Sequence, residues 1–205
     1  MHYIIGIDEA GRGPLAGPVA VGVVCIPKNF YPKNPRAKLP LRDSKKLPKH
    51  AREAWFQYIK AHPKIFYAVS MAHPKTIDRV NISNAVNLAA TRALQKLVES
   101  CELKVKSYQI YVDAGIKINR KKLSTLNLQL TTLVRGDEKI NAIKLASIIA
   151  KVTRDRYIIK KHREYPAYKF NVHKGYGTKI HLKALKAHGP CPLHRLTFIK
   201  KYISI

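Results

Sequence analysis

Apolar runs along the chain predict five β-strands. They lie at 2–7, 18–26, 65–71, 107–113 and 126–134, and each is bounded by polar residues or by glycine and proline. The Gly/Pro-rich segment EAGRGPLAGP joins the first two runs. Because this connection is tight, we expect the first two strands to form an antiparallel pair.

Apolar positions with helical spacing predict four helices, at 48–61, 83–100, about 140–163 and 179–188. In the second, Val86, Ala89, Ala93 and Leu97 form a stripe at i, i+3/i+4 spacing. Thr178 is placed to cap the fourth helix, and Gly189–Pro190 stops it.

The element order is therefore β-β-α-β-α-β-β-α-α, and its later β-α-β steps favour parallel crossovers. We predict an α/β protein with a mixed β-sheet flanked by helices and a helical C-terminal part. The 205 residues suit one domain, 1–205, in which the part from about 165 to 205 contributes to substrate binding.

The charge balance narrows the choice of partner. The chain has 39 Lys+Arg against 12 Asp+Glu, a formal net charge of +27. Self-repulsion on this scale is unfavourable, so it indicates a polyanionic partner, nucleic acid first and an anionic membrane surface second. The other explanation is a set of solvated basic faces.

The number and spacing of the cysteines and the hydropathy of the chain predict its cellular compartment. The three cysteines, Cys25, Cys101 and Cys191, are scattered and odd in number, which argues for a reducing compartment. No apolar run approaches the ~18 residues of a membrane span. We expect a cytoplasmic protein.

Four of the twelve acids follow strand-like runs. Asp8 and Glu9 come after YIIGI, Asp113 after YQIYV, and Asp137 shortly after LNLQLTTLV. Carboxylates gathered at one sheet edge repel unless a cation lies between them, and oxygen ligands suit Mg²⁺ or Mn²⁺. Pairing of each acid with one of the many lysines or arginines is the alternative.

Several motifs in a fixed order carry a family resemblance. They are DEAGRGPLAGPV (8–19), DSKKL (43–47), YVDAG (111–115), GDEKI (136–140), ASIIAKVTRDR (146–156) and KGYGTKIHLKALKAHGPCPLHRLTF (174–198). Together they resemble the type 2 ribonuclease H family, ribonuclease HII, from residue 3 to about 199. The resemblance implies a ribonuclease H-like fold and a divalent-metal-dependent endonuclease. Its substrates would be RNA/DNA hybrids and duplex DNA that contains ribonucleotides.

The resemblance also implies residue roles. It assigns the four acidic positions to Asp8, Glu9, Asp113 and Asp137, as catalytic residues and metal ligands. It assigns the ribose-sensing turn to Gly11, Arg12 and Gly13, and the substrate-stacking tyrosine to Tyr176.

The chemistry of these residue types agrees with those roles. Two divalent ions can activate a water and relieve charge on the leaving oxygen, and three or four carboxylates suffice to hold them. Glycines let the backbone approach a sugar, where peptide groups can bond the 2′-hydroxyl that distinguishes RNA from DNA.

Further candidate contacts are weaker. Ser44, Lys45 and Lys46 are candidates for phosphate contacts, although a solvated surface explains each lysine equally well. Cys191 and His194 have ligand-like spacing without a second pair. We interpret most of the other histidines, including His173 and His181, as surface or capping groups.

Two other functions remain open. A DNA-only nuclease of the same fold would have no use for the Gly-Arg-Gly turn together with Tyr176. A non-catalytic basic RNA-binding protein would explain the charge but not the four acids. We expect a monomer that binds nucleic acid and no membrane, and the sequence indicates no protein partner.

Overall fold

A computed structural model describes residues 2–35, 39–100, 108–119, 121, 129–133 and 140–203. The strands are β1 (Tyr3–Ala10), β2 (Val19–Pro27), β3 (Phe66–Ala72), β4 (Tyr108–Asp113) and β5 (Gln129–Leu133). The helices are α1 (Lys49–Ala61), α2 (Pro74–Ser100), α3 (Asn141–His162), α4 (Phe170–His173), α5 (Lys179–His188) and α6 (Leu196–Ile199). Short 3₁₀ helices span Ser44–Lys46, Pro166–Tyr168 and Lys200–Tyr202.

The five strands form one mixed sheet in the order β3-β2-β1-β4-β5. β1 pairs antiparallel with β2, as predicted, and parallel with β4, which in turn is parallel to β5. β2 and β3 also pair antiparallel, although α1 connects them. The connection from β2 to β3 therefore differs from the predicted parallel crossovers. The connection from β3 to β4 through α2 agrees with that prediction, because β3 and β4 both run parallel to β1.

Helices cover both faces of the sheet. α2 supplies much of the apolar layer on one face, and α1 and α3 supply that on the other. α3 lies very close to the sheet because two strand glycines admit it. A Cβ on Gly6 would meet the Ala142 backbone at 2.2 Å, and one on Gly22 would meet the Ala146 carbonyl oxygen at 2.4 Å. The close approach brings α3 side chains beside β1.

Two boundaries differ from the sequence prediction. β1 continues through Asp8 and Glu9 to Ala10 instead of ending before the acids. α2 begins at Pro74, nine residues before the predicted start, and is kinked at Asn81, whose φ of 65° and ψ of 168° are not helical. The Asn81 side chain accepts a hydrogen bond from the Asn84 amide at 3.0 Å. It caps the second segment, which is the part that the apolar stripe revealed.

The C-terminal part packs onto the loop between β1 and β2. Ala16 forms an isolated β-bridge with His194 and lies in one apolar cluster with Phe170, Ala184 and Leu193. The single-domain assignment stays a prediction. Among the described helices, none is long and apolar enough to cross a membrane.

The structure corrects the interpretation of the histidines. Like His194, which is 2% exposed, His173 and His181 lie in the interior of the C-terminal part, at 7% and 0% exposed. Their basic sequence neighbours suggested a surface position. The surrounding apolar residues come from elsewhere in the chain, which a local sequence window does not reveal.

Candidate active site

Three of the four predicted acids meet at one edge of the sheet. The register of β1 and β4 pairs Ile7 with Val112, so Asp8 and Asp113 follow at the same level on neighbouring strands. Asp8, Glu9 and Asp113 each offer a carboxylate oxygen, and these oxygens lie within 4.8 Å of one another. Asp137, the fourth predicted acid, lies outside the described residues.

Burial and like charge make this cluster unfavourable without a cation. Burial raises the pKa of Asp8 well above its usual value, and the negative charges of Glu9 and Asp113 raise it further. The Oε2 atom of Glu9 is buried and makes no hydrogen bond. Oxygen ligands, mutual repulsion and an unsatisfied buried oxygen fit a divalent cation.

A serine on α3 forms a hydrogen bond with the acidic cluster. The Ser147 hydroxyl contacts the Asp8 carboxylate and lowers its pKa, against the larger effect of burial. Its oxygen also lies 2.7 Å from the Ser44 hydroxyl and 3.4 Å from Asp43 Oδ1. Sequence reasoning missed Ser147, whose signal was a single hydroxyl within the otherwise apolar run Leu145–Ala150.

These contacts define the position of the predicted phosphate-binding turn. Ser44 is buried against Ser147, so its side chain stabilises the turn from inside rather than facing solvent. Lys45 and Lys46 are exposed at the same turn. The Lys45 amide donates to Asp43 Oδ1 at 3.1 Å, which stabilises the turn that carries both lysines.

Arg12 links the predicted ribose-sensing turn to the acids. Its Nε donates to Glu9 Oε1 at 2.6 Å, and its Nη2 donates to the Gly115 carbonyl oxygen at 3.1 Å. The guanidinium therefore bridges the end of β1 and the segment that follows β4. Neighbouring Gly13 is exposed, and a Cβ placed on it would meet nothing within 4 Å.

Two fully buried arginines hold the loop that carries this turn. Arg195 donates to the carbonyl oxygens of Gly11 at 2.7 Å, Arg12 at 2.8 Å and Gly17 at 2.9 Å. Arg154 donates to Pro18 at 2.9 Å. Sequence reasoning missed both arginines.

Arg154 also reaches the loop that precedes Tyr176, because its Nη2 donates to the carbonyl oxygens of Ala16 at 3.2 Å and Lys174 at 3.0 Å. Burial, together with the charge of Arg154, lowers the pKa of Arg195 to about 9. Arg195 therefore stays protonated near neutral pH.

Tyr176 follows at the surface of the adjoining loop. Its side chain is 41% exposed, with Lys151 Nζ 5.6 Å and Arg154 Cζ 5.8 Å from the ring centroid. The preceding Gly175 carbonyl oxygen accepts from the amides of Leu15 at 2.8 Å and Ala16 at 3.2 Å. The tyrosine loop and the Gly-Arg-Gly loop are thus joined by main-chain hydrogen bonds.

Comparison with known proteins identifies the family. A family model described as Ribonuclease HII matches residues 5–201. The chain belongs to the ribonuclease HII family. A ribonuclease HII of Caldicellulosiruptor bescii is 41% identical over 204 residues, which cover 100% of this chain and 90% of the relative.

Two solved structures of the same type are also similar. The ribonuclease H2 of Pyrococcus horikoshii has a TM-score of 0.72 and 28% identity, covering 98% of this chain and 96% of its own. The RNase HII of Archaeoglobus fulgidus, solved in a complex with PCNA, has a TM-score of 0.67 and 26% identity, covering 94% and 93%. Both support the predicted ribonuclease H-like fold.

Membership of the ribonuclease HII family confirms the predicted class of enzyme. The chain is an endoribonuclease, a hydrolase that acts on RNA/DNA hybrids, and the family depends on divalent metal ions. The non-catalytic RNA-binding function considered from the sequence is thereby set aside.

Proposed function

We propose that this ribonuclease HII also nicks duplex DNA on the 5′ side of a single embedded ribonucleotide. Cleavage would use two divalent cations, Mg²⁺ or Mn²⁺, held by Asp8, Glu9 and Asp113, with Asp137 as the fourth ligand. The observation that carries the proposal is the joining of the acidic cluster, the Gly-Arg-Gly turn and the Tyr176 loop through Arg12 and the two buried arginines.

The acidic cluster supports the metal assignment. Asp8 and Asp113 lie at one level on adjacent strands, and Glu9 offers a buried oxygen that lacks a hydrogen-bond partner. When bound, divalent cations supply charge relief at the scissile phosphate and an activated water. The residues of this chain hold the ligand oxygens in place, since Asp8 is fixed by Ser147 and Glu9 by Arg12.

The Gly-Arg-Gly turn supports recognition of one ribose. Gly13 is exposed with open space where a side chain would stand, so a sugar can approach its backbone closely. A 2′-hydroxyl is both a donor and an acceptor and can be read by peptide groups. Arg12 holds this turn beside Glu9, which couples recognition of the ribose to placement of the phosphate at the acids.

Tyr176 and the nearby cations support binding of the strand beyond the ribose. Its exposed ring offers a face on which a deoxyribose can pack. The groove beside it is lined by Lys49, Arg52, Lys151, Arg156 and Lys174, with Glu53 and Asp155 as the acids. Excess positive charge here, and at Lys45 and Lys46, suits the phosphates of a duplex.

Three end-labelled duplexes test the proposal: all-DNA, an RNA/DNA hybrid, and DNA with one ribonucleotide. Each is incubated with the wild-type protein in chelator, Mg²⁺ or Mn²⁺, and products are separated on denaturing gels. We expect a single metal-dependent nick 5′ of the lone ribonucleotide, cleavage of the hybrid, and an intact all-DNA duplex.

Tyr176→Ala tests the stacking role in the same assay. It should lower cleavage of the lone-ribonucleotide duplex far more than it lowers duplex affinity, whereas Tyr31→Ala, at a residue 80% exposed, serves as control. A requirement for several consecutive ribonucleotides, or cleavage of the all-DNA duplex, would contradict the proposed specificity. Monomeric state, absence of a protein partner and cytoplasmic location stay predictions.

A further inference from the structure

Three buried histidines lie directly beneath the Tyr176 loop, and the proposed mechanism does not use them. His181 Nδ1 lies 2.9 Å from the Tyr176 carbonyl oxygen, and His181 Nε2 lies 3.0 Å from His194 Nε2. The ring of His173 stacks on that of His181, with 4.3 Å between centroids. We call the series of hydrogen bonds from His194 through His181 to the Tyr176 carbonyl oxygen the histidine relay.

Hydrogen bonding fixes the proton positions of the relay. The Cys191 amide donates to His194 Nδ1 at 2.9 Å, whereas the Cys191 carbonyl oxygen lies farther away, at 3.3 Å. His194 Nδ1 is therefore an acceptor, and a neutral ring carries its proton on Nε2. His194 Nε2 then donates to His181 Nε2, which leaves the His181 proton on Nδ1, where it donates to the Tyr176 carbonyl oxygen.

Hydrogen bonds also fix the proton position of His173. The Gly175 amide donates to His173 Nδ1 at 3.2 Å, and His173 Nε2 donates to the Tyr168 carbonyl oxygen at 2.7 Å. Histidine side chains thus hold the main chain of both Gly175 and Tyr176. Gly175 lies so close to the β1–β2 loop that no side chain fits there, because a Cβ on it would lie 2.3 Å from the Ala16 carbonyl oxygen.

The side chains of His194 and its neighbour Arg195 lead to the two loops that we propose contact the substrate, the Tyr176 loop and the Gly-Arg-Gly turn. The His194 side chain leads through His181 to Tyr176, and the Arg195 side chain donates to Gly11 and Arg12. Their main chain is fixed as well, since the Arg195 amide donates to the Leu15 carbonyl oxygen at 2.9 Å.

We propose that His194 and His181 are positioning residues that fix the main chain of Tyr176 and thereby the place of its ring on the substrate strand. The proposal rests on the proposed contact of Tyr176 with substrate. The relay works only while both rings are neutral. A proton on His194 Nδ1 would face the Cys191 N–H, and a proton on His181 Nε2 would face the His194 N–H.

A metal-binding role does not fit this cluster. Within the part of the chain that the structure describes, no third His, Cys, Asp or Glu ligand atom joins the two facing Nε2 atoms of the relay. The titratable groups around the relay are His173, Tyr168 and the Cys191 thiol, with Lys174 beyond His173. Burial lowers the pKa of His181 and of His194 to about 4, in keeping with neutral rings.

A double-mutant cycle with Tyr176 separates positioning from general structural support. His194→Phe removes the donor and keeps a ring, and His194→Gln restores a donor to His181. We expect His194→Phe to lower kcat on the lone-ribonucleotide duplex roughly 10-fold to 100-fold, and His194→Gln to recover most of it. In the Tyr176→Ala background, His194→Phe should change kcat less than about twofold.

An equal loss from His194→Phe in both backgrounds would overturn the relay proposal, while the loss from Tyr176→Ala alone would leave the stacking role intact. Wild-type kcat in Tyr176→Ala would overturn both. Imidazole ¹⁵N NMR of the wild-type chain at pH 7 needs no variant to fold. It should show protons on His194 Nε2, His181 Nδ1 and His173 Nε2, and any other tautomer at His194 or His181 overturns the relay.

Discussion

The side chain of Arg195 donates a 2.7 Å hydrogen bond to the carbonyl oxygen of Gly11, across 184 positions of sequence. The two residues come from opposite ends of the chain, yet both are needed to shape one turn beside the acids. Gly11 has a φ of +99°, and a Cβ on it would lie 2.2 Å from Arg154 Nε. Arg195 thus holds the turn by hydrogen bonds, and glycine at position 11 leaves the room that Arg154 occupies beside it.

Arg195→Lys should destabilise the fold, because one ammonium cannot replace a fork that serves three carbonyl oxygens. We expect a loss of at least about 2 kcal/mol in the free energy of unfolding, measured by urea denaturation. Arg156→Lys is the matched control, since Arg156 is half exposed and pairs with Glu53. Its effect should stay within about 0.5 kcal/mol, and an equal loss in both variants would contradict the assigned role of Arg195.

Local sequence patterns predicted the acids and the sheet for a clear reason. Asp8, Glu9 and Asp113 each adjoin an apolar strand run, and the strands themselves bring such positions to a common edge. The stripe through Val86 and Leu97 likewise marked the second half of α2. These features depend on residues that are close in sequence.

The buried polar network could not be predicted in this way. In a chain with 39 Lys+Arg, nothing local distinguishes Arg154 and Arg195 from surface cations, because most of their partners are carbonyl groups more than 130 residues away. His181 and His194 meet only after the C-terminal helices pack. The start of α2 was missed because the Asn81 kink interrupts its helical period.

Low pH should reduce the free energy of unfolding, because it favours protonation of the two relay histidines. The pKa of His181 and of His194 is lowered to about 4 in the folded protein, from 6.5. The unfolded chain therefore binds more protons between these values, and stability falls as pH drops from about 6.5 toward 4. The slope is at most about 1.4 kcal/mol per pH unit for each histidine.

Urea denaturation at several pH values between 7 and 5 measures this slope. The double variant His181→Asn with His194→Gln keeps donors in the relay but removes both titrating rings, so its slope should be shallower than that of the wild type. His50→Gln, at an exposed histidine, should leave the slope unchanged. A wild-type slope in the double variant would show that other groups cause the acid sensitivity.

Affinity for a hybrid duplex should fall steeply with salt. The net charge of +27 and the basic groove beside Tyr176 indicate many phosphate contacts, each of which releases counterions. For 6–10 contacts the affinity should fall roughly 10³–10⁵-fold between about 50 and 200 mM salt. Fluorescence anisotropy with labelled duplex in chelator measures this affinity. An affinity that does not change with salt would show that the net positive charge does not serve duplex binding.

Gly13→Ala should separate substrate approach from folding. A Cβ at this position meets nothing within 4 Å, so the free energy of unfolding should change by less than about 0.5 kcal/mol. Cleavage at a lone ribonucleotide should nevertheless fall at least about tenfold, because the added methyl group would occupy the space through which we propose that the sugar approaches. Gly11→Ala is the contrasting variant, which should lose stability as well as activity. Full activity in Gly13→Ala would place the ribose elsewhere.

Asp8→Asn should abolish cleavage and make the metal-free protein more stable. Burial and two neighbouring carboxylates disfavour the charged form of Asp8, so a neutral amide relieves repulsion and should raise the melting temperature in chelator. The same change removes a ligand charge, at a cost of several kcal/mol in the transition state, or roughly 10³-fold in rate. Mg²⁺ or Mn²⁺ should raise the melting temperature of the wild type more than that of Asp8→Asn, while Glu53→Gln, at a partly exposed ion pair, should respond like the wild type. A melting temperature of Asp8→Asn that rises with metal as much as that of the wild type would show that the cations bind without Asp8.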